Sequence, residues 1–255
     1  MERPPEDSTG DRPLEKDMAV SVRHLTRRFN GFTAVDDISF DVGKGEIFGF
    51  LGANGAGKTT TIRMLTGLLK PSEGRGVVGG FDIDTAYENI KSRIGYMSQK
   101  FSLYDDLKAG ENLYFFGGIY GLSRQDVSER IDALDPTLHL KEIAHRKTLS
   151  LPQGFKQRLA LACAILHEPP ILFLDEPTGG VDPIARRYFW DLISSLAGQG
   201  TTVFVTTHYM DEAEYCHRLS IMYKGRIVEL ASPAALKKKY NSLSIEDIFI
   251  QLVDR

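Results

Sequence analysis

Cysteine is scarce in this chain. The 255 residues hold two, Cys163 and Cys216, too far apart in sequence to form a metal-type pair. Both sit among residues of helical character and read as small buried hydrophobes in a reducing compartment. No apolar run approaches the ~18–20 residues that would span a bilayer. The longest, Leu159 to Leu166, has the length of a core helix. A surplus of positive charge is also missing: the formal net charge is −3, which gives no broad electrostatic reason to expect nucleic-acid binding. There is no internal repeat. Residues 1–17 are rich in Pro, Glu, Asp and Arg without the apolar stretch of a signal peptide, and they read as a disordered leader.

What is present is an ordinary globular composition, 42% hydrophobic and 25% charged, with length enough for a real core. One stretch organises the rest: Gly52, Ala53, Asn54, Gly55, Ala56, Gly57, Lys58, Thr59, Thr60. It follows the apolar run Ile47 to Leu51 and precedes a helix-like segment with Ile62, Leu65, Leu68 and Leu69 on one face. Strand, glycine-rich loop and helix, with G-x-x-x-x-G-K-T between, is a phosphate-binding pattern. The glycines let backbone N–H groups turn inward around anionic oxygens, and the helix N-terminus adds partial positive charge. Lys58 would reach the β- and γ-phosphates, and the hydroxyl of Thr59 would take one position on Mg²⁺.

Around this loop the chain reads as α/β. Val20, Val22 and Leu25, then Ile38, Phe40 and Val42, alternate with polar residues as half-exposed antiparallel strands about an Asn30-Gly31 turn. Phe29, beside that turn, suits either a core plug or a platform for a purine base. Lys70 to Gly74 reads as the end of the first helix, and Ile94 to Met97 as a strand. From about residue 100 to 157 the pattern is helical: Glu111 to Leu122, then a capping box at Ser123 to Asp126 opening a helix that Asp135-Pro136 ends. Strands return at Ile171 to Leu174 and Thr201 to Thr206. A helix between them opens at Asp182-Pro183 and closes at Gly200. Leu219 to Tyr223 and Arg226 to Glu229 flank Lys224-Gly225 as a hairpin. The expected organisation is a leader (1–17), one domain (18–240) and an amphipathic tail (241–255).

In a parallel sheet, functional groups collect at the carboxyl ends of the strands. Four candidates stand there: the loop, Gln99, Asp175-Glu176 and His208. Asp175 after four apolar residues has the pattern of a carboxylate that holds Mg²⁺ through its water shell. Glu176 beside it suits a general base, or an orienter of a water behind the γ-phosphate; a kinase would instead position an acceptor hydroxyl. Gln99 suits either the magnesium shell or that water, and His208 suits a contact to the γ-phosphate.

With these residues in view, the chain resembles the nucleotide-binding domain of an ABC transporter from about Ala19 to Glu229. The match rests on the Walker A loop, the Gln99 loop, Ile171 to Pro177 as Walker B with its glutamate, Gly180-Val181-Asp182 as the D-loop, and His208 as the switch histidine. The segments His208 to Glu214 and Ser244 to Ile250 are similar to bacterial multidrug and antibiotic exporters with ABC-2-type membrane subunits. The resemblance implies a P-loop NTPase fold: a RecA-like parallel core sheet, an N-terminal antiparallel β subdomain and an inserted α-helical signature subdomain. It implies ATP and Mg²⁺ as cofactors, with Phe29 stacking on adenine. It also implies a head-to-tail dimer of two cassettes, most simply a homodimer, in which Asp182 and the signature of one cassette complete the other's loop. A separate permease subunit, docked near Gln99 and the aromatic segment Phe101 to Tyr114, would hold the chain at the cytoplasmic face of the membrane. A weakly hydrolysing regulatory cassette and a soluble, non-transport ATPase are the alternatives.

One motif departs from that family. Where it has Leu-Ser-Gly-Gly-Gln before a short basic stretch, this chain has Leu151, Pro152, Gln153, Gly154 and Phe155 before Gln157-Arg158. Proline has neither hydroxyl nor N–H, so one bond to the γ-phosphate is lost, worth roughly 1.5–3 kcal/mol for a charged acceptor. Gly154 and the following helix N-terminus remain to favour phosphate. Pro152→Ser is therefore expected to maintain or raise steady-state ATPase activity; a large loss in that assay would mean the register or the role is wrong.

Overall fold

Alternating burial builds the first sheet. Val20, Val22 and Leu25 line the buried side of β1 (Met18–Phe29), and Ile38, Phe40 and Val42 that of β2 (Phe32–Gly43). The two pair antiparallel across Asn30 and Gly31, whose φ values of 27° and 86° make the tight reversal. The structure is a computed structural model describing residues 17–100 and 102–253, so the expected leader lies outside the described residues except for Asp17.

β3 (Ile47–Leu51) is buried along its whole length, as a strand covered on both faces must be. The phosphate loop then leads into α1 (Lys58–Leu65). This helix stops well short of Leu68, Leu69 and the Lys70 to Gly74 stretch expected to end it. Gly67 is the reason: it takes φ 71°, and a Cβ there would lie 2.7 Å from Cβ of Tyr87. β4 (Glu73–Val78) and β5 (Phe81–Asp82) complete a four-stranded sheet in the order β2-β1-β4-β5.

After α2 (Tyr87–Lys91) and β6 (Ile94–Met97) come α3 (Ala109–Ile119), α4 (Arg124–Leu138), α5 (Leu140–Ile143) and α6 (Gln153–Ile165). The Ser123 capping box is formed as expected. Pro136, however, does not end its helix, which runs on to Leu138 and stops at His139 with φ 52°. Placed near the end, the proline forfeits one backbone bond, and the His139 N–H still reaches Asp135 O at 2.8 Å. α6 starts directly after Pro152, whose carbonyl accepts from Phe155 N–H at 3.0 Å and Lys156 N–H at 3.1 Å.

The main sheet gathers β7 (Ile171–Asp175), α7 (Pro183–Gly198) on one face, β8 (Thr202–Thr207), β9 (Arg218–Tyr223) and β10 (Arg226–Ala231). Its order is β10-β9-β3-β8-β7-β6, parallel except for the terminal hairpin. The register aligns Leu51 with Thr207, Asp175 with Thr206, and Met97 with Leu174. The carboxyl ends of β3, β6, β7 and β8 therefore share one edge. α7 closes at Gly198, two residues before Gly200. α8 (Pro233–Tyr240) and α9 (Ile245–Val253) follow, and Ile245 and Ile248 pack on Leu51, Leu219 and Leu236.

Side chains alternate between two cores across the sheet. One holds Ile47, Leu172, Val203 and Trp190; the other holds Phe48, Phe50, Phe173 and Phe204. Trp190, fully buried on α7, stacks on Tyr215 at 5.0 Å between centroids. Both cysteines are buried free thiols, and burial pushes Cys216 up to about 12. Only Cys163 is helical; Cys216 is extended, at the end of a short 3₁₀ turn. Phe204 touches Phe173, Phe48 and Phe50 at centroid distances of 4.8, 5.6 and 6.1 Å. Phe204→Ala is expected to cost about 3–5 kcal/mol of unfolding free energy in a denaturant titration.

Candidate functional site

The loop at 52–57 is shaped by close approach and by its glycines. A Cβ on Gly52 would lie 2.6 Å from Met222 O, and one on Gly57, at φ 108°, would lie 2.7 Å from Ala34 O. Gly55 takes φ 81° with open space around it, and Ala53, Asn54 and Gly55 are exposed. The loop is thus pressed down at both ends and open at its middle. α1, which begins at Lys58 and carries Thr59 and Thr60 in its first turn, has no acidic residue there and no side-chain cap. The positive end of its dipole is left for an anion.

Lys58 is 4% exposed. Its ammonium donates to Gly52 O at 2.7 Å and Ala53 O at 3.2 Å, and lies 3.5 Å from Glu176 Oε1. Burial pulls its pKa down, and the Glu176 carboxylate opposes the fall. Asp175, at the end of β7, is buried as well. Its Oδ1 accepts from Thr206 Oγ1 at 2.6 Å and Thr59 Oγ1 at 3.0 Å. Burial raises its pKa, and the two hydroxyls work against that rise.

Glu176 is a non-glycine residue at φ 50°, a left-handed conformation that costs free energy and occurs where the surroundings impose it. Its N–H donates to Thr206 Oγ1 at 2.9 Å. The carboxylate Oε2 accepts from Gln99 Nε2 at 2.9 Å, and His208 Nδ1 stands 3.4 Å away. That last contact is within ion-pair range but outside hydrogen-bond geometry, so Nδ1 is buried without a hydrogen-bond partner. The strand-end candidates Lys58, Gln99, Glu176 and His208 are therefore one cluster, and Thr59 with Asp175 is its neighbour. Gln99 binds Glu176, apart from the Thr59–Asp175 pair with which a magnesium role would associate it.

The remaining candidates stand elsewhere. Pro152 and Gln153 are exposed at the start of α6 with Gly154 behind them, and a Cβ on Gly180 would lie 4.0 Å from Gln153 Cγ. Asp182 caps α7, its Oδ1 accepting from Ala185 N–H at 3.0 Å. Phe29 does not plug the sheet. It is 41% exposed, with the Arg27 guanidinium 4.4 Å from its ring centroid. Two residues escaped the sequence reading, Thr206 and Glu212. The β-branched run through Thr206 signals strand and hides the role of its hydroxyl. Glu212 looks like one acid among several on a polar turn.

These residues fit a magnesium–nucleotide. The open loop, the uncapped helix start, the buried ammonium and the unpartnered His208 nitrogen all suit phosphate oxygens. Among the described residues no three His, Cys, Asp or Glu side chains could hold a metal by themselves. A hard cation at Thr59 and Asp175 would need phosphate and water oxygens to complete its shell.

The ABC transporter family model matches residues 35–179. The probable multidrug ABC transporter ATP-binding protein YbhF of Escherichia coli (strain K12) is 48% identical over 239 residues, which is 92% of this chain but 41% of that protein. The chain thus spans about two fifths of that relative's length. The Nod factor export ATP-binding protein I of Paraburkholderia xenovorans (strain LB400) is 37% identical, covering 91% of this chain and 76% of the relative. A solved ATP-binding subunit of an ABC transporter superposes with a TM-score of 0.84 at 26% identity, over 92% of this chain and 99% of that one.

Thr206→Val would leave the Asp175 carboxylate buried with one donor fewer, so it would hold a proton more tightly. Magnesium-dependent nucleotide affinity is expected to fall roughly tenfold or more, and binding in EDTA to stay unchanged. Because a raised carboxyl pKa lets protons compete with metal, the deficit should grow as pH falls. Fluorescent nucleotide titrations across pH, with and without magnesium, check both expectations.

Proposed function

The chain belongs to the ABC transporter family of ATP-binding proteins, and from that premise we propose that it is the ATP-hydrolysing subunit of an exporter. The observation that carries this is the Glu176 carboxylate, set next to Asp175 and surrounded by Lys58, Gln99 and His208. A carboxylate so placed takes the proton of a water or orients it, while Lys58 and the loop N–H groups hold the phosphates. His208 donates to the terminal phosphate oxygens. Thr59 and Asp175 would hold a magnesium ion, which would supply positive charge to the phosphates, and Gln99 would join either that shell or the water. Phe29, exposed beside the first turn, stacks on the adenine.

The working form is a head-to-tail dimer of cassettes, most simply two copies. Pro152, Gln153, Gly154 and Asp182 of one face the 52–60 loop of the other, and hydrolysis releases the clamp. No helix among the described residues is long and apolar enough to cross a membrane; in this reading the passage is formed by a permease of ABC-2 type. Tyr104, Tyr114 and Phe115 are exposed, and Tyr104 and Phe115 meet edge to face at 4.7 Å. They offer an apolar seat for a cytoplasmic helix of that subunit; Phe101 lies outside the described residues. The chain is then peripheral, at the cytoplasmic face of the membrane. Relatives named for multidrug transport, Nod factor export and linearmycin resistance support export as the direction.

Glu176→Gln is expected to lower steady-state ATP hydrolysis at least about a hundredfold while ATP is still bound. With MgATP it should shift to a dimer by light scattering. Equal inactivity of this variant and the wild type in the assembled complex would favour a regulatory cassette. Recovery in a soluble, ribosome-bound pool without a polytopic membrane protein would sink the transport role.

A further inference from the structure

Two carboxylates are buried among the described residues, Asp175 and Glu212. Asp175 belongs to the site; Glu212, at 0% exposure, has no part in the chemistry above. An ionised carboxylate in the interior persists only where it is paired and hydrogen-bonded. Glu212 has both kinds of partner. Oε1 accepts from the Thr178 hydroxyl, Oε2 accepts from Thr207 Oγ1 at 2.7 Å, and Arg186 Nε stands 3.4 Å from Oε1.

These partners come from three segments, each attached to a residue of the site. Thr178 is two positions after Glu176, and Thr207 directly precedes His208. Arg186 lies on α7, four residues past Asp182. Thr207 Oγ1 also accepts the Tyr209 N–H at 2.9 Å, so the chain is pinned on both sides of His208. Arg186 is held to the same loop twice more, 4.3 Å from the Tyr209 ring centroid and 3.3 Å from Asp211. Packing alone does not call for such a device, since apolar side chains would fill the volume without a desolvation penalty.

The geometry points to Glu212 as a positioning residue for hydrolysis, which sets His208 against Glu176 by gripping the residue before one and the turn after the other. This rests on Glu176 being the hydrolytic carboxylate. Glu212 acts through its neighbours and not on substrate. Thr206 and Thr207, adjacent on β8, divide the work: one hydroxyl serves Asp175 and Glu176, the other serves Glu212.

The test measures MgATP hydrolysis and ATP affinity of the full chain, assembled with its co-purifying membrane subunit. The variants are Glu212→Ala, Glu212→Gln, Thr207→Val, His208→Ala and the doubles with His208→Ala. Glu212→Ala and Thr207→Val should each lower kcat roughly tenfold or more with KM and ATP affinity within about twofold. Glu212→Gln, still able to accept from a threonine, should recover to within about threefold of wild type. Added to His208→Ala, either change should cost less than about twofold more, because the two act in one chain of contacts. Losses that multiply would overturn the proposal, as would KM rising in step with falling kcat, or wild-type kcat in both variants. Thr207→Val leaves the carboxylate its other partners, so it decides the matter if Glu212→Ala fails to fold. A Glu176→Gln control that turns over like wild type would instead refute hydrolysis at Glu176, whatever the Glu212 variants do.

Discussion

A carboxylate removed from water must be satisfied where it stands, and Asp175 is satisfied by two hydroxyls from different elements, Thr59 on α1 and Thr206 on β8. Much of the site depends on that arrangement. Thr59 is brought there by the loop after β3, and Thr206 by the parallel register that sets it opposite Asp175. Were β8 shifted by one residue against β7, its side chains would change faces and the hydroxyl would leave. The sheet register, fixed by the two apolar cores, is thereby also the alignment of the carboxylate and hydroxyl oxygens at that edge.

The same register explains why opposing charges meet at one edge. Lys58 is drawn below its ordinary pKa by burial and Asp175 above its own, so in each the desolvation of the charged form outweighs the neighbours that support it. Glu176 contributes to both environments, favouring the ammonium and opposing the second carboxylate. The left-handed backbone at Glu176 turns the chain immediately after the buried strand, and the Thr206 hydroxyl anchors its N–H. Strain and anchor together place one carboxylate inside the strand's end and the next within reach of Gln99 and His208.

Much of this was legible in the sequence because the signals were local. Gly52 to Thr60, Ile171 to Glu176 and Asp182-Pro183 each carry residue types whose geometry is set within a few positions. The misreadings came where tertiary contacts outweighed local preference. Pro136 is a helix breaker by propensity, but near a terminus it costs one bond and the helix continues. Leu68 and Leu69 continue an apolar stripe, yet Gly67 against Tyr87 ends α1 first. Phe29, open to either reading from its residue type, stands at the surface with the Arg27 guanidinium 4.4 Å from its ring centroid. Thr206 and Glu212 were illegible for a different reason. Their importance lies in what the far side of a strand and a buried turn bring to them, and a β-branched run or an acidic turn looks the same with or without such partners.

Trp190 is the chain's single tryptophan. It lies on α7 one turn beyond Arg186, and its ring partner Tyr215 follows Glu212 by three residues in the turn after His208. The indole therefore spans the junction between the helix that Asp182 caps and the loop that carries the histidine. Its emission is an internal optical gauge of that junction: any change in stacking between helix and loop during the nucleotide cycle would be visible without a label, and from one position only.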